Sequence, residues 1–296
     1  MTDPLVTIAI TSFNAEKTIE RCILSALNQT YKNTEIIIVD DGSTDKTKVI
    51  LAKYKKKNSK IKIIVNERNY NCAYSLNLMH KEAKGEFIVY FDDDDFSKPD
   101  RVSKQLSRLI SYEIKNNTKK VFVFANRFVK NQSNDNKIIF GIGRQFPEPK
   151  GLIVADYLLK VKNNDDNFNW GEIGRCTMFA RLNCIKDLGD FDKKFYRGAE
   201  IDLSIRAALN GFCFISVDEI LVDYYITKGP HKTLKKDLIS RIQLIKKNRK
   251  YLKSKSLYLS SFLNFHAWYW HQKGIRIFGW FFRCLYYLSK IKYKIF

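Results

Sequence analysis

Three groups of carboxylates in this chain could hold a metal ion or move a proton. They are Asp40-Asp41-Gly42-Ser43-Thr44-Asp45, Asp92-Asp93-Asp94-Asp95 and Gly198-Ala199-Glu200-Ile201-Asp202. Each group also has a purely structural explanation. Asp-Gly-Ser is common in turns and at helix starts, and acids are favoured in the first turn of a helix.

The four adjacent aspartates at 92–95 argue most strongly for chemistry. Because they repel one another, an apolar strand that leads straight into them needs a compensating cation. Mg²⁺ or Mn²⁺ prefers oxygen ligands and usually completes its coordination with substrate phosphates. The run therefore predicts a metal-assisted site for a nucleotide diphosphate, and the alternative is a solvated acidic loop.

The segments that would position these groups alternate between apolar runs of strand length and stretches of helical periodicity. Strands are predicted at 5–11, 35–40, 61–66 and 86–92, with helices around 19–27, 44–57 and 72–83 and after Pro99. Runs this continuously apolar are typical of a parallel sheet covered by helices. The pattern predicts an α/β fold with a Rossmann-like open sheet that binds ligands beyond the carboxyl ends of its strands.

The composition divides the chain into two parts. We predict one domain over 1–226, with a regular half at 1–115 and a second half at 116–226 whose shorter strands lie at 121–126, 137–140 and 212–216. Residues 227–296 carry 13 Lys and 4 Arg against one acid, which is +16 of the chain's net charge of +21. This aromatic, basic segment is predicted to be a helical extension.

The six cysteines have neither the paired spacing of a zinc module nor that of a disulfide framework, which suits a reducing cytoplasm. No secretory signal and no apolar run of spanning length is evident, so we expect a cytoplasmic protein.

The acidic groups and their strands together resemble family 2 glycosyltransferases, which are inverting enzymes with the GT-A fold. The segments that carry the resemblance are VTIAITSFNAEKTIERCILSALNQTY at 6–31, EIIIVDDGSTDKT at 35–47, KGEFIVYFDDDDFSKPDRV at 84–102 and GAEIDLSIRAALNGF at 198–212. The resemblance implies that Mn²⁺ or Mg²⁺ assists transfer of a hexose or N-acetylhexosamine from a UDP-sugar to an acceptor sugar hydroxyl. Residues 1–115 would bind the nucleotide-sugar and 116–226 the acceptor.

Roles on the donor side are carried over by position. Thr11 and Phe13 resemble residues at the end of the first strand that line the nucleotide site, and Asp41 resembles the aspartate that binds the base. Asp92 and Asp94 match a D-x-D pair, with Asp92 toward the ribose and Asp94 on the metal. Asp93 is also assigned to the nucleotide-sugar site, and Asp95 is expected to support the pair.

Glu200 falls where the family has its catalytic carboxylate. The acceptor hydroxyl must lose its proton as it attacks, so a carboxylate base is chemically required. Asp202 is the competing candidate for this role.

Two positions depart from the family pattern. Asn69 and Asn77 are assigned to the donor site, but Asn71 stands where the family usually has glycine. Leu76 stands where an arginine commonly precedes the asparagine. The resemblance thus implies that a phosphate contact is lost or supplied elsewhere.

Two further assignments stay open. His231 resembles a metal ligand that closes over the diphosphate in some relatives, and the alternative is a surface histidine. Trp170 resembles part of the acceptor wall, where it could stack on a sugar face, and the alternative is a core or interface tryptophan.

The C-terminal segment predicts a helix that lies in a membrane interface. One stripe is apolar, and it consists of Ile277, Trp280, Phe281, Cys284, Leu285 and Leu288. Arg276, Arg283 and Lys290 lie on the opposite side, where they could meet anionic lipids. We therefore expect a peripheral protein on the inner face of the cell membrane, with a lipid-linked glycan acceptor of the lipopolysaccharide or capsule type. The alternative is a helix packed on the catalytic domain with its charges solvated.

Two other functions were weighed. A metal-dependent sugar nucleotidyltransferase would need a glycine-rich basic loop after the first strand, whereas residues 12–16 contain no basic residue. A nucleic-acid-binding protein would use the basic segment, but the apolar stripe fits lipid better, so we expect no nucleic-acid partner.

Overall fold

A computed structural model of the protein describes residues 3–131, 135–159, 170–227 and 233–291, without the side chains of residues 290 and 291. Its strands are β1 (Val6–Ser12), β2 (Thr34–Asp40), β3 (Ile61–Val65), β4 (Phe87–Asp92), β5 (Phe96–Ser97), β6 (Val121–Lys130), β7 (Lys137–Ile139), β8 (Phe179–Arg181) and β9 (Cys213–Tyr225). Its helices are α1 (Ile19–Leu27), α2 (Thr47–Lys57), α3 (Cys72–Glu82), α4 (Arg101–Asn116), α5 (Leu152–Leu158), α6 (Leu182–Asp187), α7 (Ala199–Leu209), α8 (Leu234–Lys247), α9 (Arg249–Ser254), α10 (Tyr258–Gln272) and α11 (Arg276–Ile291).

The strands form one sheet in the order β3-β2-β1-β4-β8-β6-β9-β5, with β7 added to β6. The first four strands are parallel, as the apolar runs predict, and β9 is parallel to β6. Antiparallel pairing by β5, β7 and β8 makes the second half irregular. The predicted α/β class with a mostly parallel sheet is confirmed.

Helices cover both faces of this sheet because alternate strand residues point to opposite sides. Ile36 and Ile38 of β2 belong to a buried cluster with α1 and α4, whereas Ile37 and Val39 belong to a second cluster with α3 and α7. Because both faces of the sheet are covered, successive residues of each central strand must be apolar.

The C-terminal helices share the second of these clusters. Leu244 of α8, Leu252 of α9 and Phe265 of α10 are buried together with Ile37 and Phe122 of the sheet. The segment is helical as predicted. The boundary at residue 226 is thus a change in composition and secondary structure, with no break in the core.

The helix α11 packs along α10 on one side only. Tyr286 is fully buried there, and Gly279 leaves room for the His271 ring, which would lie 2.7 Å from an added Cβ. The predicted apolar stripe faces away from α10, since its residues Ile277, Trp280 and Leu288 are 77%, 61% and 60% exposed. Over the described part of the chain, no helix is both long and apolar enough to cross a membrane.

Candidate active site

The strand register brings two of the acidic groups together. Ser12 pairs with Asp40 across β1 and β2, and Thr11 pairs with Asp92 across β1 and β4. The carboxyl ends of the three strands therefore lie side by side. A cleft of about 1710 Å³ opens at this edge, and its lining includes Asp41, Asp92, Asp93, Asp94 and Glu200.

Asp41 organises the loop that follows β3. Its carboxylate accepts hydrogen bonds from the backbone of Tyr70 at 3.1 Å and of Asn71 at 3.0 Å, and from the Asn66 amide at 2.7 Å. Gly42 next to it has a φ of +79°, and an added Cβ would lie 2.5 Å from the Arg68 carbonyl carbon. The Asp-Gly sequence thus permits close approach of this loop to the end of β2.

The residues predicted around the nucleotide also lie here. Thr11, Phe13 and Asn69 line the cleft, and the backbone N–H of Phe13 donates to Asp93 at 3.1 Å. Burial, together with Asp94 and Asp92, raises the pKa of Asp93 to about 7. The aspartates therefore repel one another in the protein alone, as the sequence argument requires.

The other two aspartates of the run differ in their surroundings. Asp94 lies in the cleft and accepts a hydrogen bond from the Thr227 hydroxyl. Asp95 is buried and accepts from the backbone of Tyr225 at 3.0 Å. Its other carboxylate oxygen has no hydrogen-bond donor among the described residues, and burial, Asp92 and Asp94 raise its pKa.

This donor set fits a divalent cation. Ligand atoms of Asp92, Asp95 and Cys176 lie within 4.8 Å of one another, and the orphaned oxygen of Asp95 is among the polar groups that an ion would satisfy. Burial raises the pKa of the Cys176 thiol, so it stays protonated and is a poor ligand for a hard ion. The aspartates are the better candidates, and Asp94 adds a carboxylate from the cleft side.

Arg175 is a site residue that the sequence analysis missed. Its guanidinium donates two hydrogen bonds to one oxygen of Asp92, at 2.6 and 3.0 Å, and a third to the Cys72 thiol. Burial alone would lower its pKa, but Asp92, Cys72 and Glu200 raise it. A permanently charged group therefore interacts with both Asp92 and Glu200. A lone arginine at the first position of a 3-10 turn (Arg175–Thr177) gives no signal in the sequence for this role.

The two candidate bases are in different environments. Glu200, in the first turn of α7, lines the cleft. Asp202 is 1% exposed, accepts from Arg206 at 2.9 Å and lies 2.7 Å from the Lys247 ammonium. It is outside the cleft lining and is occupied by internal ion pairs, so the geometry disfavours Asp202 as the base.

Two other predicted residues lie outside the cleft lining. Both ends of the Asn77 amide bond to the backbone of Phe191, at 2.8 and 3.0 Å, so this geometry disfavours the donor-binding assignment of Asn77, which stays a prediction. Trp170 packs against Tyr157 with ring centroids 5.2 Å apart, and its neighbours Gly171–Cys176 line the cleft in its place. His231 lies outside the described residues.

The far side of the cleft is built by the C-terminal helices, which the sequence analysis did not foresee. Arg241 of α8, Trp268 of α10, and Trp280 and Arg283 of α11 all line it. Arg283 was predicted on the basic face of α11, opposite the apolar stripe, where it could meet anionic lipids. It donates to Asn264 at 3.0 Å and lines the cleft.

Comparison with known proteins agrees with this geometry. The family described as "Glycosyl transferase family 2" matches residues 7–157. An Escherichia coli UDP-Glc:alpha-D-GlcNAc-diphosphoundecaprenol beta-1,3-glucosyltransferase, WfgD, is 30% identical over 195 residues, which are 62% of this chain and 75% of that protein. An uncharacterized glycosyltransferase of Haemophilus influenzae is 37% identical over 110 residues, 37% of this chain. The match covers only 44% of the relative's length.

Solved structures share the fold. Residues 1–349 of Staphylococcus aureus TarS in complex with UDP-GlcNAc have a TM-score of 0.63 at 19% identity, over 88% of this chain and 72% of that one. The mannosyltransferase PcManGT of Pyrobaculum calidifontis, in complex with GDP-Man and Mn²⁺, has a TM-score of 0.57 at 18% identity, over 83% and 64%. The chain belongs to glycosyl transferase family 2 and is a glycosyltransferase with the GT-A fold.

Proposed function

We propose that the chain is an inverting, metal-dependent glycosyltransferase that moves a hexose or N-acetylhexosamine from a UDP-sugar to a hydroxyl of a lipid-linked glycan. The observation that carries the proposal is the convergence of Glu200 with Asp92, Asp93 and Asp94 in one cleft of a family 2 chain.

The donor assignment rests on the strand ends. Thr11, Phe13 and Asn69 would surround the nucleotide, with Asp92 beside the ribose. Asp41 has its carboxylate engaged by the loop after β3, so we assign it to shaping the base pocket. Asp94 and Asp95 would hold Mn²⁺ or Mg²⁺, which when bound offsets the charge of the diphosphate leaving group. The UDP-GlcNAc complex of TarS and the Mn²⁺ complex of PcManGT support this choice.

The chemical step assigned to the protein is proton removal. Glu200 would accept the proton of the acceptor hydroxyl. The hydroxyl oxygen attacks the anomeric carbon at the same time, and the bond from that carbon to the diphosphate breaks. Attack from the side opposite the leaving group inverts the configuration. The Arg175 guanidinium interacts electrostatically with Glu200, which contributes to the raised pKa of the arginine.

The acceptor assignment rests on a relative and on the exposed face of α11. The name of WfgD specifies a diphosphoundecaprenol-linked acceptor. The apolar face of α11, flanked by the basic C-terminal segment, supports placing this protein at the inner surface of the cell membrane.

A donor screen tests this function. UDP release is measured with UDP-Glc, UDP-Gal, UDP-GlcNAc and UDP-GalNAc, with Mn²⁺ and with chelator. We expect one donor to be preferred, release to require the metal, and Asp94→Asn to abolish Mn²⁺-dependent UDP binding. Asp187→Asn is the control, because Asp187 is an exposed carboxylate outside the cleft lining. Equal UDP binding by wild type and Asp94→Asn would reject the assignment.

A further inference from the structure

Two arginines of the C-terminal helices line the cleft, and neither forms a salt bridge with a residue that the structure describes. The half-buried guanidinium of Arg241 stacks on Trp268 at 4.2 Å and forms no hydrogen bond or ion pair with any residue that the structure describes. The guanidinium of Arg283 has one neutral acceptor, the Asn264 side chain at 3.0 Å. A charge kept partly out of water without an anion is unfavourable, so this arrangement indicates an anionic ligand.

Arg241 interacts electrostatically with groups other than the acidic run. The charged groups that influence the pKa of Arg241, besides the lowering by burial, are Asp237, Glu172 and Arg197, and none of the aspartates at 92–95 is among them. The donor diphosphate, held beside those aspartates, would therefore lie apart from Arg241. Arg241 is then available to a second anionic group, and Arg283 lines the same cleft.

The surroundings of the pair indicate what carries that group. Trp280 and Tyr287 line the cleft and are also 61% and 51% exposed on α11. They are continuous with Ile277, Phe281 and Leu288, which form the exposed apolar face of the same helix. The cleft therefore opens directly onto a surface suited to a lipid chain.

We infer that Arg241 and Arg283 form a subsite for the phosphate or diphosphate of a lipid-linked acceptor, whose chain leaves the cleft past Trp280 and Tyr287. The inference rests on the proposed function, because it places the acceptor sugar between this subsite and Glu200. Guanidinium groups suit phosphate because they donate two parallel hydrogen bonds. Trp268 would hold the Arg241 guanidinium plane in place.

The test is a binding titration of the full-length protein with decyl diphosphate below its micelle concentration. Arg241→Gln and Arg283→Gln are each expected to weaken binding by about tenfold, as loss of one charge-assisted contact implies. Arg249→Gln removes an equal charge from an exposed position of α9 outside the cleft lining, and it should bind like wild type. Uncharged decyl glucoside should not distinguish the variants.

A second titration, with UDP and Mn²⁺, separates this inference from the proposed function. Both Gln variants should retain wild-type UDP affinity, and Arg241→Lys should recover part of the decyl diphosphate binding if the charge is what matters. Unchanged decyl diphosphate binding in Arg241→Gln would overturn the subsite, as would a matching loss of UDP binding, which would assign the arginines to the donor. Absence of UDP binding in wild type would instead reject the proposed function.

Discussion

The guanidinium of Arg175 lies 2.6 Å from a carboxylate oxygen of Asp92 and occupies one side of the acidic run. The other oxygen of Asp92 has no donor among the described residues. The pair therefore neutralises part of the aspartate cluster in the free protein while leaving one oxygen for a ligand. We therefore expect Arg175 to compete with a divalent cation for Asp92.

Replacing Arg175 should separate metal binding from turnover. In Arg175→Gln we expect Mn²⁺ alone to bind about tenfold more tightly, because Asp92 loses its cation and the cluster repulsion increases. We also expect transfer to fall at least tenfold, because Asp92 is no longer held in place. The measurements are electron paramagnetic resonance of free Mn²⁺ and UDP release.

The control for Arg175 is Arg108→Gln, which removes an arginine paired with Glu148 at 2.6 Å, both outside the cleft lining. Arg108→Gln should change neither the affinity for Mn²⁺ nor the rate of UDP release. Weaker Mn²⁺ binding in Arg175→Gln would show that the guanidinium supports the metal site.

Replacing the two carboxylates at the start of α7 should affect the free energy of unfolding to different extents. Asp202→Asn leaves Arg206 and Lys247 without their buried anion, and we expect a loss of about 3 kcal/mol in the free energy of unfolding. Glu200→Gln changes a residue of the cleft lining and should stay within about 0.5 kcal/mol of wild type. Urea unfolding measures both. Equal destabilisation would show that the two environments are not as different as described.

Asn71 stands where the family usually has glycine, and the effect of this difference on stability can be measured. Asn71 has φ +95° and ψ 159°, a region nearly exclusive to glycine that costs an asparagine on the order of 1 kcal/mol or more. Its side chain caps α3 by accepting from Tyr74 and donates to the Lys193 carbonyl at 3.0 Å. An asparagine cap replaced by glycine loses only a few tenths of a kcal/mol, and the bond to Lys193 is exposed to solvent. Asn71→Gly should therefore stabilise the protein by about 0.5–1 kcal/mol.

Two comparisons accompany this substitution. Asn71→Ala removes the cap and keeps the strained backbone, so it should destabilise. Asn117→Gly changes an asparagine at φ +47°, an ordinary left-handed cap that asparagine tolerates, and should be nearly neutral. A destabilised Asn71→Gly protein would mean that the Asn71 side chain matters more than its backbone.

The exposed face of α11 predicts a membrane-binding phenotype. Ile277→Glu with Leu288→Glu places two charges on that face, and we expect vesicle binding to fall at least tenfold, since each apolar side chain contributes about 1.5 kcal/mol or more when buried. The assay is co-sedimentation with phosphatidylglycerol–phosphatidylethanolamine vesicles. Ile114→Glu, at a position of α4 that is 79% exposed, is the control. Undiminished sedimentation of the double variant would exclude α11 as the contact.

The sequence predicted the parallel half of the sheet well because local periodicity decides it. Apolar runs determine both faces of β1, β2 and β4, and the acids that follow them must then meet at one edge. Thr11, Asp41 and Asp92 could be placed from this logic alone. The geometric distinction between Glu200 and Asp202 could not, because it depends on Arg206 and Lys247, and Lys247 lies 45 positions from Asp202 in the sequence.

The cleft's far wall could not be predicted for a related reason. The positive charge of residues 227–296 predicted a segment separate from the catalytic domain. Leu244 and Phe265 are instead buried in the hydrophobic core against the sheet. Arg241 and Arg283 are thereby directed into the cleft. A count of charges contains no information about which of them a fold turns inward.

Catalysis by Glu200 in the aspartate-lined cleft is the central claim, and one measurement tests it most directly. Sugar transfer and Mn²⁺-dependent UDP binding are compared in wild type and Glu200→Gln, with the donor and acceptor that wild type uses. The account predicts a loss of transfer of at least about 100-fold with unchanged UDP affinity. Full transfer by Glu200→Gln would contradict it.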